Sequence, residues 1–128
     1  MFPFNTDGID PSGSRFHIYN ITCQNWDDVV VPKPSRLSDC TQDMLVENCT
    51  VILGVGMSIG SIGPSGDCSC IRNITFRNVK MVRPTKGIYV KTNPGNSGSG
   101  IVKDILYKNF TMYQPIWWSV YIGPQQMK

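Results

Sequence analysis

Nine acidic residues are spread thinly through this 128-residue sequence, yet four of them fall in two short runs: Asp7 and Asp10 in NTDGID, and Asp27 and Asp28 in WDDV. Carboxylates brought close together repel, which raises the pKa of one and keeps it protonated beside its ionised partner. A proton donor and a proton acceptor held side by side are what hydrolysis of a glycosidic bond requires. Successive strand residues point to opposite faces, so Asp27 and Asp28 share a side only where a strand bulges or ends. Both are therefore expected at a lip. A DD pair taken alone is ordinarily a solvated turn, and only its alignment with Asp7 changes that reading.

A second stretch, GVGMSIGSIG from Gly54 to Gly63, fits two other chemistries on paper. It resembles a phosphate-cradling glycine loop, and around Ser58 it resembles the G-x-S-x-G turn of a nucleophile. Both need a helix directly after the glycines. The residues that follow, SIGPSGDCSC, do not start one, so both are rejected. Five cysteines leave an odd one over, and Cys68 and Cys70 lack C-x-x-C spacing. With His17 the sole histidine, no metal site and no cofactor are expected, and a disulfide is the favoured use of the thiols. His17 itself reads as a surface residue. Trp117 and Trp118 suit stacking on sugar rings as well as they suit one packed ring and one at a lip.

Hydrophobic residues make up 41% of the chain, ordinary for a folded protein, and residues 1–128 read as one domain. The net charge of +3 is carried by Lys and Arg scattered singly, which argues against a nucleic-acid partner. No apolar run approaches the roughly 18 residues of a membrane span, and MFPFNTDG lacks the features of a signal peptide. Asn-x-Thr sequons at Asn20, Asn48, Asn73 and Asn109 would suit a secreted surface, though asparagines that serve the fold are the plainer explanation.

The elements that must position the aspartates emerge from a repeat. FHIYNITC, MLVENCTV, ITFRNVKM and ILYKNFTM share one pattern, in which apolar residues alternate up to an asparagine and resume alternating, phase-shifted, after it. The asparagines are Asn20, Asn48, Asn78 and Asn109, at intervals of 28, 30 and 31 residues. Alternation with period two is a strand with one buried face. A phase shift at Asn is a bend, because Asn tolerates the left-handed conformation. Each corner is followed by a second strand-like segment: DDVVV, GVGMSIGSI, KGIYVKT and WWSVYIG. Helix-free repeats of this size predict an all-β solenoid, a parallel β-helix of about four coils. A leucine-rich repeat would need more leucine and a helical return. Stacked coils ~4.8 Å apart bring residues near 7, 28, 55 and 90 onto one face, with the glycines of GVGMSIGSIG forming a flat floor beneath a groove.

At this point the residues resemble a known family. NTDG from Asn5 to Gly8, DD at Asp27 and Asp28, GVGMSIGSIG, and YVKT from Tyr89 to Thr92 have the order and approximate spacing of the NTDG, [GQ]DD, GHG with its SIGS-like run, and RIK motifs of the polygalacturonase family, glycoside hydrolase family 28. The resemblance runs from Asn5 into YIGPQQ. It implies a right-handed, pectin-lyase-like parallel β-helix that cleaves α-1,4-linked galacturonan by inversion. It implies that Asp27 is the general acid, that Asp7 and Asp28 hold and deprotonate the attacking water, and that Lys91 binds a uronate carboxylate. It also places Asn5, Gly56 and Tyr89 at the substrate.

Two positions depart from the family pattern: Val55 stands at the His of GHG, and Tyr89 at the Arg of RIK. A valine makes no hydrogen bond and a tyrosine has no cationic fork. The rhamnogalacturonan-hydrolysing branch also lacks that His and carries a related Tyr and Lys stretch, so it is the alternative substrate class. A catalytically silent carbohydrate-binding solenoid is the alternative from outside enzymology, although a pure binder has no need of three aspartates here. The family's Cys after DD is Val29, which leaves Cys49 without the partner the resemblance would give it. Neither MFPFNTDG nor YIGPQQMK reads as a solenoid end cap, so a partial β-helix domain is expected. The resemblance implies a pectic polysaccharide partner, a monomer at full length, and an extracellular or cell-wall location.

Overall fold

In a computed structural model, residues 4–35, 40–63, 68–94 and 98–125 are described. Among them the chain contains strands and no helix. Strands β1 (Ser14–Tyr19), β2 (Thr22–Asn25), β4 (Thr41–Leu53), β6 (Cys68–Val82) and β8 (Ser99–Tyr113) form one sheet, in the order β1 and β2, β4, β6, β8. The other sheet takes β3 (Asp28–Val30), β5 (Gly56–Ile62), β7 (Lys86–Thr92) and β9 (Trp118–Pro124) in that order. All pairings are parallel, and each strand meets its counterpart one coil later. The fold is a right-handed parallel β-helix with four rungs per sheet, three turns separating the first rung from the last.

Register explains why the repeat alternates as it does. Met44 aligns with Ile74 and Ile105, Val46 with Phe76 and Tyr107, Cys49 with Val79 and Phe110, and Val51 with Met81 and Met112. Like therefore stacks on like along the axis, and the Phe76 and Tyr107 rings lie 4.8 Å apart and nearly parallel. Val46, Val51, Ile74, Phe76 and Met81 are fully buried in this column, with Met57 and Ile59 from the second sheet. The first and last rungs have one neighbour each and keep Phe16, Val120 and Ile122 exposed.

The asparagine corners are as the sequence predicts. Asn20, Asn48, Asn78 and Asn109 have φ of 54, 54, 55 and 55°. Asn78 Nδ2 donates to Asn48 Oδ1 at 3.2 Å, and Asn109 Nδ2 donates to Asn78 Oδ1 at 3.1 Å. These side chains serve a ladder between coils. Two more left-handed corners escape the repeat pattern, one at Arg15, Asp43, Asn73 and Asp104, the other at Leu53, Arg83 and Gln114. Their residue types vary, so sequence alone does not align them.

Cys40 and Cys70, 30 residues and one coil apart, form a disulfide with Cα atoms 4.5 Å apart. Cys23 and Cys49 are free thiols, and the Cys68 side chain lies outside the described part. His17 is on the surface as expected, bonded to Glu47 at 2.8 Å.

Candidate active site

The first coil builds the site by laying NTDG against WDDV. Gly8 N donates to Asp28 O and Ile9 N to Val29 O, both at 2.9 Å, which continues the parallel ladder beyond β3. Asn25 pins the two segments together, its Nδ2 donating to Thr6 O and Asp28 O at 2.9 Å each. Trp26 N donates to Thr6 Oγ1 at 2.9 Å. A single oxygen from each of Asp7, Asp27 and Asp28 then lies within 4.8 Å of the others. At that spacing two of these oxygens can accept hydrogen bonds from one water. Inverting glycosidases in general hold two carboxyl groups ~6.5–9.5 Å apart, whereas here three carboxyls approach one another through single oxygens.

The two adjacent aspartates do not share the lip, which corrects the expectation for them. Asp27 is half-buried and lines a cavity, whereas Asp28 is fully buried behind it. Ordinary strand alternation sends these neighbours to opposite sides, and the register shift in β3 comes only after them, between Asp28 and Val30. Asp27 accepts from Asp28 N at 2.9 Å and Asn5 N at 3.2 Å, so backbone amides orient its carboxylate. Asp28 accepts from the Ser58 hydroxyl on Oδ1 and from the Lys91 ammonium on Oδ2. The serine of the rejected nucleophile turn is thus a buried anchor for a carboxylate.

The cavity, of about 300 Å³, is lined by Asn5, Asp7, Asp27, Lys33, Val55, Ser61, Lys86, Tyr89, Lys91 and Gln125. Sequence reasoning brought Asn5, Asp7, Asp27, Tyr89 and Lys91 to it. Gly56 is buried and does not line it. A side chain at Gly56 would run into the Lys86 and Gly87 carbonyl oxygens, and φ there is +95°. At Gly60, with φ +110°, it would run into Lys91 O. These glycines admit the backbone of the next coil; the groove floor expected of them is supplied instead by side chains such as Val55.

Lys33, Lys86 and Gln125 lie outside the family motifs, and Ser61, inside GVGMSIGSIG, was not singled out there. Lys33 Nζ lies 3.6 Å from both Asp7 and Asp10, and the Ser61 hydroxyl donates to the Gln125 side chain. Trp117 and Trp118 stack on each other with centroids 4.5 Å apart and remain exposed.

Burial pushes the Asp7 carboxyl above the ordinary range, reinforced by the charges of Asp27, Asp10 and Asp28 and opposed by Lys33. A carboxyl whose folded pKa is raised favours folding below its unfolded pKa and loses that contribution as pH rises through the folded value. Ionised Asp7 is therefore a stability cost at neutral pH. Asp7→Asn is expected to raise the thermal unfolding midpoint at pH 7, with the gain shrinking as pH falls from the raised folded value to the ordinary Asp range and absent below it. A midpoint that drops at pH 7 would show that the Lys33 contact outweighs the carboxylate crowding.

The family model for Glycosyl hydrolases family 28 matches residues 3–123. The chain is 33% identical over 113 residues to a probable endo-xylogalacturonan hydrolase A of Aspergillus fumigatus, covering 86% of the chain and 26% of that protein. It is 32% identical to a probable exopolygalacturonase C of Aspergillus terreus, over 88% of the chain and 25% of that protein. It is 34% identical to a probable endopolygalacturonase D of Neosartorya fischeri, over 84% of the chain and 21% of that protein. The chain thus spans about a quarter of the length of the curated relatives it matches. No solved structure is significantly similar to it.

Proposed function

The chain belongs to glycosyl hydrolases family 28, and from that premise we propose that its coils carry the active site of a hydrolase cleaving galacturonate-containing backbones of pectin, polygalacturonan first among them. The observation that carries this reading is the convergence of Asp7 and Asp27 on one cavity whose wall includes Lys33, Lys86 and Lys91. Carboxyls supply proton transfer, and ammonium groups suit a polymer with a carboxylate on each sugar.

Asp27 donates a proton to the leaving glycosidic oxygen as the bond to the anomeric carbon breaks. Asp7 takes a proton from the water whose oxygen bonds to that carbon from the opposite face, giving an inverted, reducing product. Asp28, sealed from water, acts through position: it fixes Lys91 and Ser58 and adds a fixed negative charge beside an oxocarbenium-like transition state. A second reading exchanges the two outer roles, and the raised proton affinity of Asp7 favours it. The pH–rate profiles separate them, since the variant that loses its alkaline limb identifies the donor: Asp27→Asn in the first reading, Asp7→Asn in the second.

The proposal extends to the cell exterior as the location, supported by the Cys40 to Cys70 disulfide, a bond that persists in oxidising compartments. The deciding experiment supplies polygalacturonan, xylogalacturonan and rhamnogalacturonan to the protein and follows both reducing-end release and the configuration of the new end. Release from polygalacturonan with inversion is expected. Release from rhamnogalacturonan alone would move the protein to the alternative substrate. Binding without release from any of the three would leave a silent carbohydrate binder.

A further inference from the structure

Of the three ammonium groups that line the cavity, two already have carboxylate partners: Lys33 lies by Asp7 and Asp10, and Lys91 by Asp28. Lys86 has none within ion-pair distance among the described residues, although it is only 6% exposed. Its Nζ lies over the Tyr89 ring, 3.9 Å from the centroid, with Tyr121 and Trp117 at 5.3 and 5.5 Å. An ammonium in contact with aromatic faces is stabilised by the ring quadrupoles, yet those rings leave its charge uncompensated. Burial accordingly pulls its pKa down, with the Lys91 charge acting the same way and the Asp28 and Asp27 charges opposing them.

The folding pattern accounts for this placement. Lys86 opens β7, where the backbone passes against Gly56, and pairs in register with Trp118 of the next coil. Tyr89 and Tyr121 are likewise register partners, 5.5 Å apart, so two successive coils build the aromatic wall. Nζ itself lies over that wall, and Lys86 lines the same cavity as Asp7 and Asp27. A buried, preorganised cation with no anion in contact gains most from an anion that arrives with the ligand.

We propose that Lys86 is a specificity residue that binds the carboxylate of a galacturonate unit and thereby selects acidic over esterified chains. This rests on the pectic reading of the site, but its readout is binding and not cleavage. The experiment measures the affinity of the whole chain for a galacturonate trisaccharide and for its fully methyl-esterified form, in Asp27→Asn protein so that nothing is consumed. Lys86→Met, which keeps the stem against the rings, is then compared on the same background.

The acid trisaccharide is expected to lose about 10- to 100-fold in affinity, the scale of one charge-assisted hydrogen bond, while the ester is unchanged. The ratio of the two affinities cancels any loss of folded protein, because both ligands draw on the same folded fraction. Lys86→Arg, which restores a cation, is expected to recover part of the acid preference. An acid-to-ester ratio unchanged by Lys86→Met, or no binding of the acid trisaccharide at all, overturns the proposal. A protein that binds in the expected way but never cleaves would sink the hydrolase reading and leave the role of Lys86 standing.

Discussion

Asp27→Asn is expected to lower the rate of galacturonan cleavage by about 10²- to 10⁴-fold, the usual contribution of a positioned general acid. The substitution removes the transferable proton and one of the two acceptor oxygens. The amide oxygen of Asn can keep the closer bond, from Asp28 N, at the cost of the longer one from Asn5 N, and the half-buried side chain faces the cavity, not the core. Fold and ligand binding should therefore survive, visible as an unchanged circular dichroism spectrum and unchanged affinity for an oligogalacturonate. Retention of a tenth or more of the wild-type rate would remove Asp27 from the proton-donor role. If only the affinity fell, the residue would be a binding group.

The largest stability effect is expected one shell further in. Among the described residues, Lys91→Met leaves the fully buried Asp28 carboxylate with the Ser58 hydroxyl as its remaining side-chain partner and no counter-ion in contact. Deleting one member of a buried pair strands the other charge, which costs about 3–5 kcal/mol. Solvent does little to soften this, because the Lys91 side chain is 9% exposed and the Asp28 side chain 0%. Adding Asp28→Asn to the same protein removes the stranded charge and should restore most of the loss, since residues in direct contact couple strongly in a double-mutant cycle. Urea unfolding of the four proteins measures the coupling directly. A loss below about 1 kcal/mol in Lys91→Met would mean that the pair behaves as a solvated surface contact.

That result would also separate two uses of Lys91. The family resemblance assigns its ammonium to a substrate carboxylate, while in the structure the same atom contacts Asp28. An ammonium carries three donors, so the two contacts are compatible in hydrogen-bonding terms, with the Asp28 bond holding Nζ at the cavity edge. Lys86 differs because its charge is uncommitted, and the sequence offers no sign of it. Lys86 sits in KGIYVKT outside every motif, and only the stacking of Tyr89 and Tyr121 around its end gives it a place.

How much of the protein was legible in its sequence depends on the range over which each feature is determined. Alternation and the asparagine corners are local: Met44 and Val46 must point inward together, and Asn48 must turn the chain, wherever the coil sits. Intervals of 28, 30 and 31 residues then set the coil length, so the β-helix and its column of Val46, Phe76 and Tyr107 follow from the chain alone. The motif order alone likewise brings Asp7 and Asp27 together.

The tertiary structure decided everything that depends on offsets of a few ångströms between coils. Asp27 and Asp28 are neighbours in sequence, yet one lines the cavity and the other is sealed behind it, where Ser58 and Lys91 of later coils meet its carboxylate. The glycines at 56 and 60 looked like a floor for a ligand and proved to be clearances for the backbone of the next coil. Lys33, Lys86 and Gln125 reach one cavity from three different coils. Local pattern fixes which way a side chain leaves its strand, but which ammonium meets which carboxylate is set by the stacking of whole coils. No window of sequence spans that stacking.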